Sequence, residues 1–248
     1  MNKLNISNWK QFSLGDEKYF QIKRIKKPVI LSNYNLSLIK ERGKFPLISS
    51  SSENNGVVGW IYSEEEILHK SNAITIAQDG SIFSSFFQSS DFYTRINMLI
   101  FRIKGRELNY YLAFFLCSII SLEKSKYSYG RTLKEEDILK TKIPLPVDER
   151  GDPNWLWMEN FSKRIWNKVK EDIIKIIDIE REREREREQK LVLLIEKNSE
   201  SVIIFMFSAP KPLKEKKSQL ENLLMSPPKI PSMVMKVLPT LELKKRMW

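Results

Sequence analysis

Thiol and imidazole are almost missing from this sequence. The one cysteine, Cys117, excludes an internal disulfide, and its place in the apolar run YYLAFFLCSIISL fits a buried, inert thiol better than a nucleophile. The one histidine, His69, leaves no His/Cys set for zinc and no obvious Cys/His pair. Also missing are a Gly-rich phosphate loop, a dinucleotide fingerprint and the Asn/Asp-Pro-Pro-aromatic motif of amino-methyltransferases; SPPK at Ser226 to Lys229 has neither the amide nor the aromatic. No cofactor is expected. The amino terminus, MNKLNISNWKQF, has no apolar signal core, so a cytoplasmic protein is expected. The longest apolar run, Tyr110 to Leu122, is shorter than the roughly 18 to 20 residues that cross a bilayer, which makes it a core helix and argues against a membrane.

The chain has 248 residues, 42% of them hydrophobic, enough for a real core and one large domain or one domain with appendages. Its formal charge of +11 points to a polyanion or an acidic partner surface without choosing between them. Trp9 to about Lys104 reads as short β-rich runs (FPLISS, GVVGWIYS, NAITIA, RINMLIFRIKG) separated by the turn-forming SSENNG and QDGS. A helix follows from about Leu108 to Leu122, then loop and short helix, then an extended KIPLPV whose prolines confine it to an edge or a connector. After Asp152, a plausible cap, the apolar stripe Trp155, Met158, Phe161, Ile165, Trp166, Val169, Ile173 and Ile176 predicts a long helix. The stripe suits either a partner helix or the chain's own globular part.

All eight glycines lie at or before Gly151, and six of the eleven prolines lie from Pro210 onward. The expected fold is therefore α+β: a compact β-rich domain over residues 1–152, a long helix forming half a coiled coil over 153–197, and a basic, Pro-rich, disordered tail over 198–248. Between the last two stands ERERERERE, Glu180 to Glu188. In that tract residues three apart attract and residues four apart repel, each weakly, so a solvated helix is the expected conformation. Glu as GAG alternating with Arg as AGA is also what a GA dinucleotide repeat encodes. A slip in such a repeat would place the residues from about 190 onward out of frame, a form of phase variation.

An enzyme should leave a constellation of reactive groups. Asp16-Glu17-Lys18 and Glu215-Lys216-Lys217 match only the last element of a metal-dependent nuclease, without an upstream acid. Nucleic-acid binding has more support. Lys23, Arg24, Lys26 and Lys27 cluster in QIKRIKKP; Arg42, Lys44, Arg102, Lys104, Arg106, Lys126, Arg131, Lys134, Lys140 and Lys142 extend the basic supply, and the loops SSSSENNG and KYSYGR offer polar groups for a groove.

The succession WKQFSLGDEKYFQIKR, GKFPLISSSSENNGVVGWI, NAITIAQDGSIFSSFFQSSDFY, YSYGRTLKEEDILKTKIPLPVDERGDPNWLWMENF and a long helix, roughly residues 7 to 180, resembles the target recognition domain of type I restriction-modification specificity subunits. The resemblance implies a DNA-reading domain without catalysis of its own. It would read one half of a bipartite double-stranded site, its helix would space the domain and dock methyltransferase subunits, and a restriction subunit is a further candidate partner. One copy of the domain would then need to self-associate, to pair with a second half subunit, or to act as part of a single-domain system. The residues expected at DNA are Lys23, Arg24, Lys26, Lys44, Ser50, Ser51, Asn54, Asn55, Gln78, Ser81, Tyr127, Tyr129, Arg131 and Lys134; those expected at the partner are Trp166, Val169, Ile173 and Ile176. The family often has a second glycine shortly after the one matching Gly80, where this chain has Phe83. The alternative is an interaction protein whose helix is the working element and whose basic charge binds an acidic protein.

Overall fold

Among the described residues nine strands form three small sheets, and the register of the largest organises the rest. The computed structural model describes residues 6–25, 28–30, 35–38, 40, 44–62, 68–127 and 133–197, with the side chains of 191–197 left aside. The strands are β1 (Trp9–Ser13), β2 (Phe20–Arg24), β3 (Phe45–Ile48), β4 (Val57–Ile61), β5 (Ala73–Ala77), β6 (Ser85–Gln88), β7 (Tyr93–Thr94), β8 (Met98–Ile103) and β9 (Lys142–Pro146). The helices are α1 (Tyr110–Leu122), α2 (Glu135–Lys140) and α3 (Trp155–Lys197). Antiparallel β2-β8-β5-β6 is the main sheet, β4-β3-β7 a second, and β1 pairs with β9 alone.

Alternation along β5 and β8 supplies two cores at once, because the side chains of a strand point to opposite faces in turn. Ile74, Ile76, Leu99 and Phe101 join the core that contains Leu112, Leu116 and Cys117 of α1. Ala73, Ala77, Met98 and Ile100 pack on the other face against Ile48 at the end of β3. Asn109 caps α1, its Oδ1 accepting from the Leu112 N–H at 3.0 Å, so that helix starts two residues later than Leu108. Cys117 is fully buried, and burial pushes its thiol pKa well above the usual range, as expected of an inert residue.

The proline-bearing KIPLP is a strand with one partner, Pro144 facing Gln11 and Pro146 facing Trp9. The long helix forms as expected, but its cap is Asn154 rather than Asp152. Asn154 Oδ1 accepts from the Trp157 N–H at 3.0 Å. Pro153 is held in a bridge to Val147, and the Asn154 N–H donates to the Pro146 carbonyl at 2.8 Å, which keeps the chain extended for two more residues. Asp152 instead accepts from Lys18 Nζ at 2.7 Å and from the Tyr19 hydroxyl.

The chain divides into two compact units within α3, after Ser162. In the first, Met158 is buried and Trp155, Trp157 and Phe161 pack on the main core, with Trp157 edge-on to Trp9 and stacked on Phe161 at 5.0 Å. In the second, the helix carries Trp166, Val169 and Ile173 half-buried and Ile176 56% exposed. The expected tail, 198–248, lies outside the described residues.

Candidate nucleic-acid interface

The register of the main sheet brings distant loops to one end. Leu99 of β8 faces both Arg24, the last residue of β2, and Ile76 near the end of β5, and Ile76 faces Ser85, the first residue of β6. The same end therefore holds Arg24, the β5-β6 loop 78–84 and the turn Arg95-Ile96-Asn97 that leads into β8. The β3-β4 loop joins them, since the Arg95 N–H donates to the Ile48 carbonyl at 2.9 Å and the Ser81 N–H to the Ser50 carbonyl at 3.3 Å. Gly80 makes this approach possible. Its φ is +56°, and a Cβ there would sit 3.2 Å from both Ser50 oxygens.

The β3-β4 loop turns through consecutive left-handed residues, Asn54 at φ +49°, Asn55 at +57° and Gly56 at +76°, as the sequence ENNG anticipates. On the other side, Leu133 is tied to the β5-β6 loop: its N–H donates to the Gln78 carbonyl at 2.8 Å and its carbonyl accepts from Gln78 Nε2 at 3.3 Å. Tyr127 stacks on Phe83 with ring centroids 5.3 Å apart. Lys134 follows Leu133 and is exposed, its N–H capped by Asp137 Oδ2 at 3.2 Å.

Arg24, Ser50, Ser51, Asn54, Asn55, Gln78, Ser81, Tyr127 and Lys134 thus gather at one end, with Lys23 exposed one residue back along β2. Not all of them are available to a ligand. Gln78 is buried and its amide is engaged with Leu133; Asn55 donates to the Phe87 carbonyl at 3.1 Å and to Gln88 Oε1 at 3.3 Å. Both amides tie loops together. Lys44 stands before β3, at the opposite end of that strand from Ser50. Lys26, Tyr129 and Arg131 lie outside the described residues.

Much of the basic supply is internally engaged. The Arg102 guanidinium donates to the carbonyls of Lys70, Ser71 and Asn72, Arg106 pairs with Glu159 at 2.8 Å, and Lys126 pairs with Glu123 at 2.7 Å. Lys23, Arg24 and Lys134 have no carboxylate partner among the described residues. Lys23, Arg24 and Lys134 are thus among the cations left to hold a phosphate backbone, and they stand where the polar loops meet. The turn residues Ile96 and Asn97 and the neighbouring Asp79 were not anticipated from sequence. Asn97 Nδ2 donates to Asp79 Oδ2, while Asp79 Oδ1 is buried without a partner among the described residues. A lone Ile between Arg and Asn has no periodic signature, so only the register reveals its place. No group of three His, Cys, Asp or Glu among the described residues is arranged to hold a metal ion, and no described helix is long and apolar enough to cross a membrane.

Comparison with known proteins places these features in context. The Type II restriction enzyme BgcI specificity subunit S.BcgI of Heyndrickxia coagulans is 23% identical over 169 residues, 68% of this chain and 47% of that protein. The chain thus spans about half the length of this curated relative. Two solved structures are similar at 15% identity. The HsdS subunit from Thermoanaerobacter tengcongensis has a TM-score of 0.47, covering 68% of this chain and 40% of that one. The Type-I restriction-modification system S subunit from M. genitalium has a TM-score of 0.46, covering 90% and 52%. The model of the type I restriction modification DNA specificity domain matches residues 6–181, most of the length over which the fold is described, and the chain belongs to that family.

Proposed function

We propose that this chain is a sequence-reading DNA-binding subunit of a restriction-modification system, without a catalytic site of its own, that brings methyltransferase and endonuclease subunits to one half of a bipartite site. The observation that carries the reading is the meeting of the 49–56 and 78–84 loops with Arg24 and Lys134 at one end of the main sheet, where neither cation has a carboxylate partner among the described residues. The cations hold phosphates, and Ser50, Ser51, Asn54 and Ser81 supply donors and acceptors for base edges. Trp166, Val169, Ile173 and Ile176 form an apolar stripe on α3 suited to a methyltransferase subunit or to the helix of a second half subunit. The reading predicts a cytoplasmic protein, since its substrate is chromosomal or incoming DNA.

The test is binding of the full chain to duplex pools across a salt series. One sequence should be enriched, and log affinity should fall linearly with log salt. Arg24→Ala should weaken binding to all duplexes and reduce the slope by about 1. Equal affinity for unrelated duplexes at physiological salt refutes the reading, and selective capture of an acidic protein in its place would support a helix-based interaction role.

A further inference from the structure

The Arg95-Ile96-Asn97 turn sets a large apolar side chain beside polar and charged loops, with Ile30, also exposed, following Val29, whose N–H donates to the Thr94 carbonyl at 2.9 Å. Ile96 is 60% exposed. Scattered exposed apolar residues are ordinary; the distinction here is the mounting. Before Ile96, the Arg95 N–H is fixed to the Ile48 carbonyl at 2.9 Å. After it, Asn97 adopts φ +63°, its carbonyl accepts from the Gln78 N–H at 2.9 Å, and its amide is held by Asp79. Met98, the next residue, is 1% exposed. The backbone on both sides of Ile96 is thus tied to the two loops that carry Ser50 and Ser81. Branching at Cβ further stiffens the side chain at χ1.

We propose that Ile96 is a specificity-determining residue whose side chain packs against the C5-methyl group of a thymine in the major groove. This rests on the DNA-reading role proposed above. In that groove thymine alone among the four bases presents an apolar group, and an aliphatic side chain has nothing else there to recognise. Ser50, Ser51, Asn54 and Ser81 around it serve hydrogen-bonding edges, and Arg24 serves a phosphate. Asn97 and Asp79 act through Ile96: they hold the turn, and Asn97 is a positioning residue.

The experiment uses the full chain and the duplex it selects from a random pool. Each thymine of that duplex is replaced singly by deoxyuridine, which removes the methyl group and leaves the pairing edge unchanged. At one position wild type should lose about four-fold in affinity, the worth of one buried methyl-sized group. Ile96→Ala should bind the methylated and methyl-free duplexes equally, with the wild-type salt slope and melting temperature, and Ile96→Val should keep part of the discrimination. The proposal is overturned if no thymine methyl affects wild-type binding, if Ile96→Ala keeps the penalty, or if Ile96→Ala weakens binding to all duplexes alike. If the pool yields no enriched sequence, the DNA-reading role itself fails and this proposal falls with it.

Discussion

Phe83 occupies a backbone conformation that ordinarily belongs to glycine, and replacing it should reverse a common order of stability. Its φ is +59°, its N–H donates to the Ala77 carbonyl at 3.0 Å, and its side chain is wholly buried against Tyr127. Truncation to Ala removes the ring and should cost about 3–5 kcal/mol. Truncation to Gly removes the same ring but also relieves the left-handed strain of an L-residue, about 1–2 kcal/mol. Against that, glycine gives the unfolded chain extra freedom worth about 0.4–1 kcal/mol. The balance makes Phe83→Gly more stable than Phe83→Ala by about 1 kcal/mol. Phe87, buried in β6 without a positive φ, is the control: there Ala should be more stable than Gly by about 0.5–1 kcal/mol. Urea unfolding followed by tryptophan fluorescence reads all four variants. The same sign of the Ala-Gly difference at both positions would refute the claim that backbone conformation, rather than lost packing alone, sets the cost at Phe83.

Three further outcomes follow from particular contacts. Gly59→Ala should lower stability by about 1–3 kcal/mol, because the new Cβ would lie 2.8 Å from the Ser37 carbonyl oxygen and 2.3 Å from Leu36 Cδ1; an unchanged thermal midpoint would contradict this. Burial, with the Arg102 charge added, holds the His69 imidazole below its ordinary pKa. Its stabilising contribution is therefore complete above the unfolded value of about 6.5 and is lost as pH falls through the lower folded value, so the urea midpoint of wild type should drop more than that of His69→Asn between neutral and mildly acidic pH. Trp157→Ala should cost about 3 kcal/mol, since Trp9, Phe115 and Phe161 all contact its ring, whereas Trp166→Ala should leave the unfolding midpoint of the first unit nearly unchanged.

The strands could be read from sequence because β-branched and aromatic residues cluster between turn formers, but their depth could not. Ala73 to Ala77 are all buried, since α1 covers one face of β5 and Ile48 lies against the other, and a run buried on both faces shows no alternation. The asparagines and glycines of ENNG and QDG announced their turns, because left-handed φ is a local demand. The site was only partly legible for the opposite reason. Ser50 and Ser81 meet through strand register and the absence of a Cβ at Gly80, and neither is encoded within a short window. Gln78 and Asn55 qualify as contact residues by being polar and in loops, whereas the engagement of their amides with the Leu133 and Phe87 carbonyls depends on partners that only the folded chain supplies. Asp152 and Asn154 are equally good caps by type; the bridge between Pro153 and Val147 decides between them.

The same separation of local from non-local cause bears on the Glu/Arg tract. Within Glu180 to Glu188 every pair four apart is like-charged and every pair three apart is opposite, so its own electrostatics add little helix stability. Arg181 does reach Asp178 at 3.1 Å, but both groups are largely exposed. The tract is helical because α3 is already nucleated: starting a helix is the costly step, and each further residue adds a hydrogen bond. Such a segment tolerates changes in length without ceasing to be helix, but a length change has a geometric consequence. One added Glu-Arg pair would rotate the residues beyond Lys190 by about 200° and advance them by about 3 Å relative to the stripe ending at Ile176. The hypothesis that the tract is a GA repeat then makes two classes of variant expected in a culture. Changes of three dinucleotide units re-aim the end of the helix, and all smaller slips replace everything after it. Sequencing the gene across many cells should find lengths differing in steps of two nucleotides; a single fixed length, or mixed Glu and Arg codons, rules the hypothesis out and leaves the alternation as a solvated spacer.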